Sequence, residues 1–184
     1  VSLEAGTIPD IIVITGIMAA GKSTVAQALA ERLPRAVHLR GDLFRRMIVS
    51  GRVEVTPDLP AEALRQLDLR HDLAAMAAGR YAEAGFTVVW QDVILGPTLA
   101  RVVERLRGRS FGVVVLCPSP AAVAVREAGR PKTGYGAWTP EDLDRGLRAD
   151  TPRIGLWLDS SGLSVAATVD AILGRIAETQ RGLP

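Results

Sequence analysis

The chain has 184 residues, 48% of them hydrophobic, which is enough to bury the core of one domain of ordinary size. Its 22 basic and 20 acidic side chains leave a net charge of +2, with carboxylates scattered between the arginines, so no nucleic acid partner is demanded. No apolar run approaches the ~20 residues of a membrane span, residues 1–10 lack the basic start and apolar core of a signal peptide, and one cysteine, Cys117, excludes an internal disulfide or a multi-cysteine metal site. The expectation is one cytoplasmic domain over residues 1–184, with 1–10 as a short extension.

The first element is the apolar run Ile11-Ile12-Val13-Ile14-Thr15, which reads as a buried parallel strand. It ends on Gly16-Ile17-Met18-Ala19-Ala20-Gly21-Lys22-Ser23, the pattern G-x-x-x-x-G-K-S, followed by Thr24. Val25, Ala26, Leu29, Ala30 and Leu33 then recur at helical spacing. Strand, loop and helix thus stand where a phosphate-binding loop needs them. Gly16 and Gly21 let the backbone turn its N–H groups toward phosphate oxygens, and the helix N-terminus favours an anion. Lys22 supplies a charge for the β- and γ-phosphates of ATP, and Ser23 a hydroxyl for Mg²⁺.

A second strand over 36–39 delivers the chain to Arg40-Gly41-Asp42, so Asp42 stands at a strand's carboxyl end. Leu43, Phe44, Met47 and Ile48 form a helical stripe that breaks near Gly51, and 51–60 is a polar loop of the kind that closes over a substrate. Residues 61–84 read as a helix carrying Leu64, Leu67, Met76 and Tyr81, ended by Gly85. The third strand, 86–90, runs into Gln91-Asp92. Leu99, Val102, Val103 and Leu106 mark the next helix, and Val113-Val114-Val115-Leu116-Cys117 a fourth strand.

After Pro118 and Pro120 a short helix, 121–128, carries Arg126, and the cationic segment 126–138 is expected to form a lid. Thr139-Pro140-Glu141-Asp142 opens a helix through Arg148. A strand over 154–158, the turn Asp159-Ser160-Ser161-Gly162 and a helix carrying Val165, Val169, Ile172, Leu173 and Ile176 complete the chain. This alternation predicts an α/β fold with a five-stranded parallel sheet covered by helices on both faces.

Open parallel sheets place ligands at the carboxyl ends of their strands. With a triphosphate on the loop, Ser23 and Asp92 suit the metal, and Asp42 suits the proton of an attacking hydroxyl on a small-molecule acceptor. Arg45 and Arg46 suit a phosphorylated acceptor, and Arg126 and Arg130 share a helix face that meets one triphosphate. The simpler alternatives are that Asp42 caps the helix starting at Leu43 and that the arginines are solvated. His38, Trp90, Trp138 and Trp157 read as packing residues.

Gly21-Lys22-Ser23, Gly41-Asp42-Leu43, Asp92-Val93-Ile94-Leu95-Gly96, Arg126-Glu127 with Arg130, and Leu158-Asp159-Ser160 together resemble the small P-loop kinases built like adenylate kinase. Within that group the chain most resembles the chloramphenicol phosphotransferases, over nearly its whole length. The resemblance implies an ATP- and Mg²⁺-dependent kinase whose acceptor is a hydroxyl of an antibiotic or related metabolite. It implies that Asp42 is the general base, that Arg126 stacks on adenine and that Arg130 meets phosphate; Arg45 and Asp92 are expected to bind the acceptor beside Asp42. The chain departs from the antibiotic kinases at Gln91-Asp92, where they have paired aspartates, and at Pro131-Lys132-Thr133, where they have a further lid arginine. A nucleotide or nucleoside kinase, and a nucleotide-binding module without acceptor chemistry, are the competing expectations.

Overall fold

The structure, a computed structural model, describes residues 7–129 and 138–184. Ile11–Thr15 forms β1, and all five of its side chains are buried, as in a strand covered on both faces. Helix α1 follows at Lys22–Arg32, then β2 at Ala36–Arg40 and the single turn α2 at Asp42–Arg46. Helix α3, Ala61–Glu83, leads into β3, Thr87–Gln91, and α4, Thr98–Arg105, into β4, Phe111–Leu116. Helix α5 spans Pro120–Ala128, and α6, Pro140–Arg145, continues into a π-helical turn at Gly146–Asp150. Strand β5, Leu156–Leu158, α7, Val165–Gly174, and a 3₁₀ turn at Ile176–Gln180 close the order.

The five strands are all parallel in the order β2-β3-β1-β4-β5. From β1 the chain crosses through α1 toward one edge, and from β3 through α4 toward the other. Right-handed crossovers in opposite directions place those helices on opposite faces. Accordingly α1 packs with α7, and α3 packs with α4. The reversal of direction at β1 opens a crevice at the carboxyl edge of the sheet, where Arg40 lies level with Gln91 and Thr15 with Val115.

Local chemistry accounts for the boundaries. Thr139 accepts from the Asp142 N–H as the expected cap of α6, and Ser119 and Ser164 cap α5 and α7 in the same way. Gly16 has φ +147, and a Cβ there would lie 2.4 Å from the Leu116 carbonyl oxygen, so the turn out of β1 requires glycine.

Two readings of the sequence are corrected. The helical stripe of Leu43, Phe44, Met47 and Ile48 is cut short: α2 ends at Arg46, has only five residues, none buried, and leaves Leu43 and Met47 exposed. Helix α3 forms where the sequence pattern expects it and faces the core with Ala63, Ala74, Ala75 and Ala78, while Leu64, Met76 and Tyr81 are exposed. Small side chains at i, i+4 spacing let a helix approach the sheet closely, and the larger ones are left outside. Strand β5 begins at Leu156 because Ile154 is held in a turn by a bond from its N–H to the Pro152 carbonyl at 2.8 Å. Cys117 lies one residue beyond β4, buried, its thiol pKa pushed up by desolvation.

Candidate active site

A cleft of about 700 Å³ opens along the carboxyl edge of the sheet. Its floor is the loop after β1, from Met18 through Gly21, and the first turn of α1, Lys22, Ser23 and Thr24. Gly16 and Ile17 lie beneath this lining, Ile17 in the core. Lys22 is buried, and its Nζ donates to the Ile17 carbonyl at 2.7 Å, which holds the ammonium over the loop. Gly21 is the N-cap of α1 with no side-chain cap bond, and the first turn of α1 points an anion-binding helix end into the cleft.

At one end of the cleft stand Arg126, Ser160, Leu163 and Ser164. Arg126 crosses from α5 and donates to the Ala20 carbonyl at 3.3 Å and to the Ser160 carbonyl at 2.6 Å. It thereby ties the loop after β1 to the turn after β5. Arg130 and the rest of the expected lid through residue 137, like residues 1–6 of the expected extension, lie outside the described residues.

At the other end stand Arg40, Asp42, Arg46 and Arg70, with Gln91 and Asp92 between them and the loop. Asp42 opens α2 but does not cap it: Gly41 is the N-cap, with no side-chain cap bond. The Asp42 Oδ2 forms an ion pair with Arg46 Nη2 at 2.7 Å, and Arg40 Nε lies 4.0 Å from Oδ1. Oδ1 itself is buried and accepts no hydrogen bond. Arg45 stands out of the cleft lining. Its guanidinium donates to the Val53 carbonyl at 2.6 Å and pairs with Glu54 at 3.0 Å, so it anchors the 51–60 loop instead of facing an acceptor.

Asp92 has a fully buried side chain that is held by Arg70, whose Nε donates to Oδ2 at 3.0 Å and whose Nη2 pairs with Oδ1. The Val93 N–H also donates to Oδ1, at 2.7 Å. A Cβ on Gly41 would lie 2.0 Å from Asp92 Oδ2, so only glycine lets the end of β2 close over this carboxylate. Burial lowers the pKa of Arg70 to about 10, which leaves it charged at neutral pH. His71, the next residue, is buried with both ring nitrogens unpartnered, and desolvation followed by the Arg70 charge lowers its pKa to about 3.

Ser23 Oγ does not meet Asp92 but donates to Gln91 Oε1 at 3.3 Å. Among the described residues no group of three or more His, Cys, Asp or Glu is arranged to hold a metal ion. The hydroxyl of Ser23 and the amide oxygen of Gln91 still fit Mg²⁺ that takes most of its ligands from phosphate and water. Arg70, Gln91 and Arg40 were not singled out from the sequence as site residues. Gln91 had a signal, since it replaces an aspartate of the resembled kinases; Arg70 had none within the helical pattern of α3.

Trp90 is buried, Trp157 lies under Arg153 at 3.9 Å, and Trp138 donates its Nε1 proton to the Val55 carbonyl at 3.0 Å, all packing roles. His38 meets Gln27 Oε1 at 2.8 Å through Nδ1. No helix among the described residues is long and apolar enough to cross a membrane.

Comparison with known proteins places the chain in a family. An AAA domain family model matches residues 11–149, from the start of β1 to beyond α6. No curated protein sequence matches the chain. Among solved structures, the tunicamycin resistance protein of Deinococcus radiodurans is 23% identical, with 92% of this chain and 96% of that chain covered and a TM-score of 0.64. A gluconokinase from Sinorhizobium meliloti 1021 is 22% identical over 92% of this chain and 93% of its own, with a TM-score of 0.60. The Mycobacterium tuberculosis APS kinase, determined with AMPPNP and APS, is 18% identical over 91% and 96%, with a TM-score of 0.67. The chain belongs to the AAA domain family, and its fold is that of the P-loop small-molecule kinases.

Proposed function

We propose that the protein is an ATP- and Mg²⁺-dependent phosphotransferase that moves the γ-phosphoryl group to a hydroxyl of a small molecule. The observation that carries this reading is that one cleft joins the G-x-x-x-x-G-K-S loop to Asp42, a carboxylate that does not cap its helix. Phosphoryl transfer asks the protein for position and charge more than for covalent chemistry. The loop N–H groups and Lys22 bind the β- and γ-phosphates and stabilise charge on the transferring group. Ser23, with Gln91 beside it, would hold Mg²⁺, which supplies charge neutralisation between the phosphates when bound. Arg126 binds at the nucleotide end, and Asp42 orients the acceptor hydroxyl and takes its proton.

Asp92, paired with Arg70, acts through its neighbours: it braces Gly41 and so fixes where Asp42 stands. Arg130 belongs to the same reading as a phosphate-binding arginine. The resemblance to antibiotic kinases places hydroxylated antibiotics among the acceptors to be tried. Incubation with ATP, Mg²⁺ and a panel of hydroxylated antibiotics, sugars, sugar acids and nucleosides, read by product mass, tests the proposal. A product heavier than its acceptor by one phosphoryl group supports it, whereas ATP binding without transfer to any acceptor would favour a nucleotide-binding module.

A further inference from the structure

Three guanidinium groups line the acceptor end of the cleft, and they are not equivalent. Arg70 is committed to Asp92 by two contacts, with side chains 11% and 0% exposed. Arg40 and Arg46 are 45% and 65% exposed and, among the described residues, form ion pairs with no carboxylate other than Asp42. Arg45, the neighbour that the sequence made equally eligible, is turned away to Val53 and Glu54. Two accessible cations therefore flank one carboxylate where an acceptor hydroxyl must arrive.

Their placement poses a problem for a neutral acceptor. Of the two Asp42 oxygens, Oδ1 is buried, so Oδ2 is the one an incoming hydroxyl meets, and Arg46 already stands on it at 2.7 Å. A neutral alcohol offers Arg46 only an uncharged acceptor oxygen, a weaker partner than the carboxylate it would give up. A carboxylate or phosphate on the acceptor offers a bidentate partner that matches the guanidinium fork better than a single shared oxygen. The pairing it displaces is a partly exposed i,i+4 contact of a kind that contributes little to stability, so the exchange is easy.

Resting on the phosphotransferase reading, we infer that the acceptor carries an anionic group beside the reacting hydroxyl. Arg46 and Arg40 receive it, and its binding uncovers Asp42 Oδ2. The step is then balanced: the hydroxyl proton passes to Oδ2, the acceptor oxygen bonds to the γ-phosphorus, and the bond from that phosphorus to the β–γ bridging oxygen breaks to leave ADP. Specificity comes from the same contact, because an acceptor lacking the anion leaves the base covered and two cations unmatched.

The test uses acceptors in matched pairs that differ in the anion: gluconate with glucose, glycerate with glycerol, and glycerol 3-phosphate with glycerol. Transfer is read by product mass and by kcat/KM, on the wild-type chain and on Arg46→Gln, Arg46→Lys and Arg40→Gln. The expected result is a preference of at least about tenfold for the anionic member. Arg46→Gln should remove most of it, Arg46→Lys should restore part, and the KM for ATP should not move. Carboxylate and phosphate pairs tell which anion the site takes. Equal use of both members, transfer to neutral members alone, or an anionic preference unchanged in Arg46→Gln and Arg40→Gln would overturn the inference while leaving the kinase reading intact. Transfer to none of these members but to a neutral acceptor of the wider panel would overturn the inference alone, and transfer to no acceptor of either set by a preparation that binds Mg²⁺ and ATP would remove both.

Discussion

Asp92 is joined to Arg70 through both carboxylate oxygens, by a 3.0 Å hydrogen bond from Nε to Oδ2 and an ion pair from Nη2 to Oδ1, with neither side chain more than 11% exposed. The pair links the end of β3 to the middle of α3 and forms the wall behind Asp42. Removing one partner of a buried pair leaves an uncompensated charge in a poor solvent. Arg70→Ala should therefore lower unfolding free energy by roughly 3–5 kcal/mol, read from the denaturant midpoint. A loss of a few tenths would show that Asp92 finds water instead.

His71 gives the protein a pH dependence whose sign is fixed. Its folded pKa lies near 3 against an ordinary 6.5, because burial and the Arg70, Arg105 and Arg101 charges outweigh the opposing pull of Asp68; Asp92 lies 3.9 Å from Nε2. Between those values the unfolded chain binds a proton that the folded chain refuses, so stability falls as pH drops from 6.5 toward 3, by at most about 1.4 kcal/mol per pH unit. The difference in stability between wild type and His71→Leu, measured by urea unfolding at pH 7, 6, 5 and 4, should shift steadily against the wild type as pH falls. A constant difference would show that the imidazole is protonated in the folded state.

Arg126 spans the cleft from the Ala20 carbonyl to the Ser160 carbonyl, so its guanidinium lies at the nucleotide end and away from Asp42. Arg126→Ala should raise the KM for ATP by about tenfold with kcat changed by less than about twofold, the signature of lost ground-state binding. Steady-state kinetics at saturating acceptor reads the two separately. A fall in kcat at unchanged KM would move Arg126 to the transferring phosphate.

The order of the fold was legible because each buried parallel strand is a continuous apolar run, and Ile11–Thr15 and Phe111–Leu116 are buried along their whole length. The phosphate loop was legible from spacing alone, and Thr139 from cap chemistry. Burial direction was harder to read. Met76 and Tyr81 look like core residues by type, yet α3 turns its alanines inward, since the space between helix and sheet decides which side chains fit. In the site, Asp42 was legible because a strand end delivers it to the cleft, whereas its partner Arg46 and the distant Arg70 were not sorted from their neighbours. Arg45 and Arg46 differ by one position and point to different tasks, and only the fold of the 51–60 loop separates them. Gln91 beside Ser23 likewise follows from the register of β1 with β3, which sets Gln91 level with Ile14 and which no local pattern carries.

The central claim is that Asp42 accepts the proton of an acceptor hydroxyl, and Asp42→Asn tests it most directly. The amide keeps the shape of the side chain and cannot take the proton. Because Gly41 is the cap of α2 and Asp42 makes no cap bond, the substitution costs only the partly exposed ion pairs with Arg46 and Arg40. Melting temperature, ATP dissociation constant and acceptor-dependent rate are measured on one preparation, with an acceptor that the panel has identified. The account predicts a rate lower by roughly 10²–10⁴-fold, with melting temperature and ATP affinity nearly unchanged. An unchanged rate would contradict it.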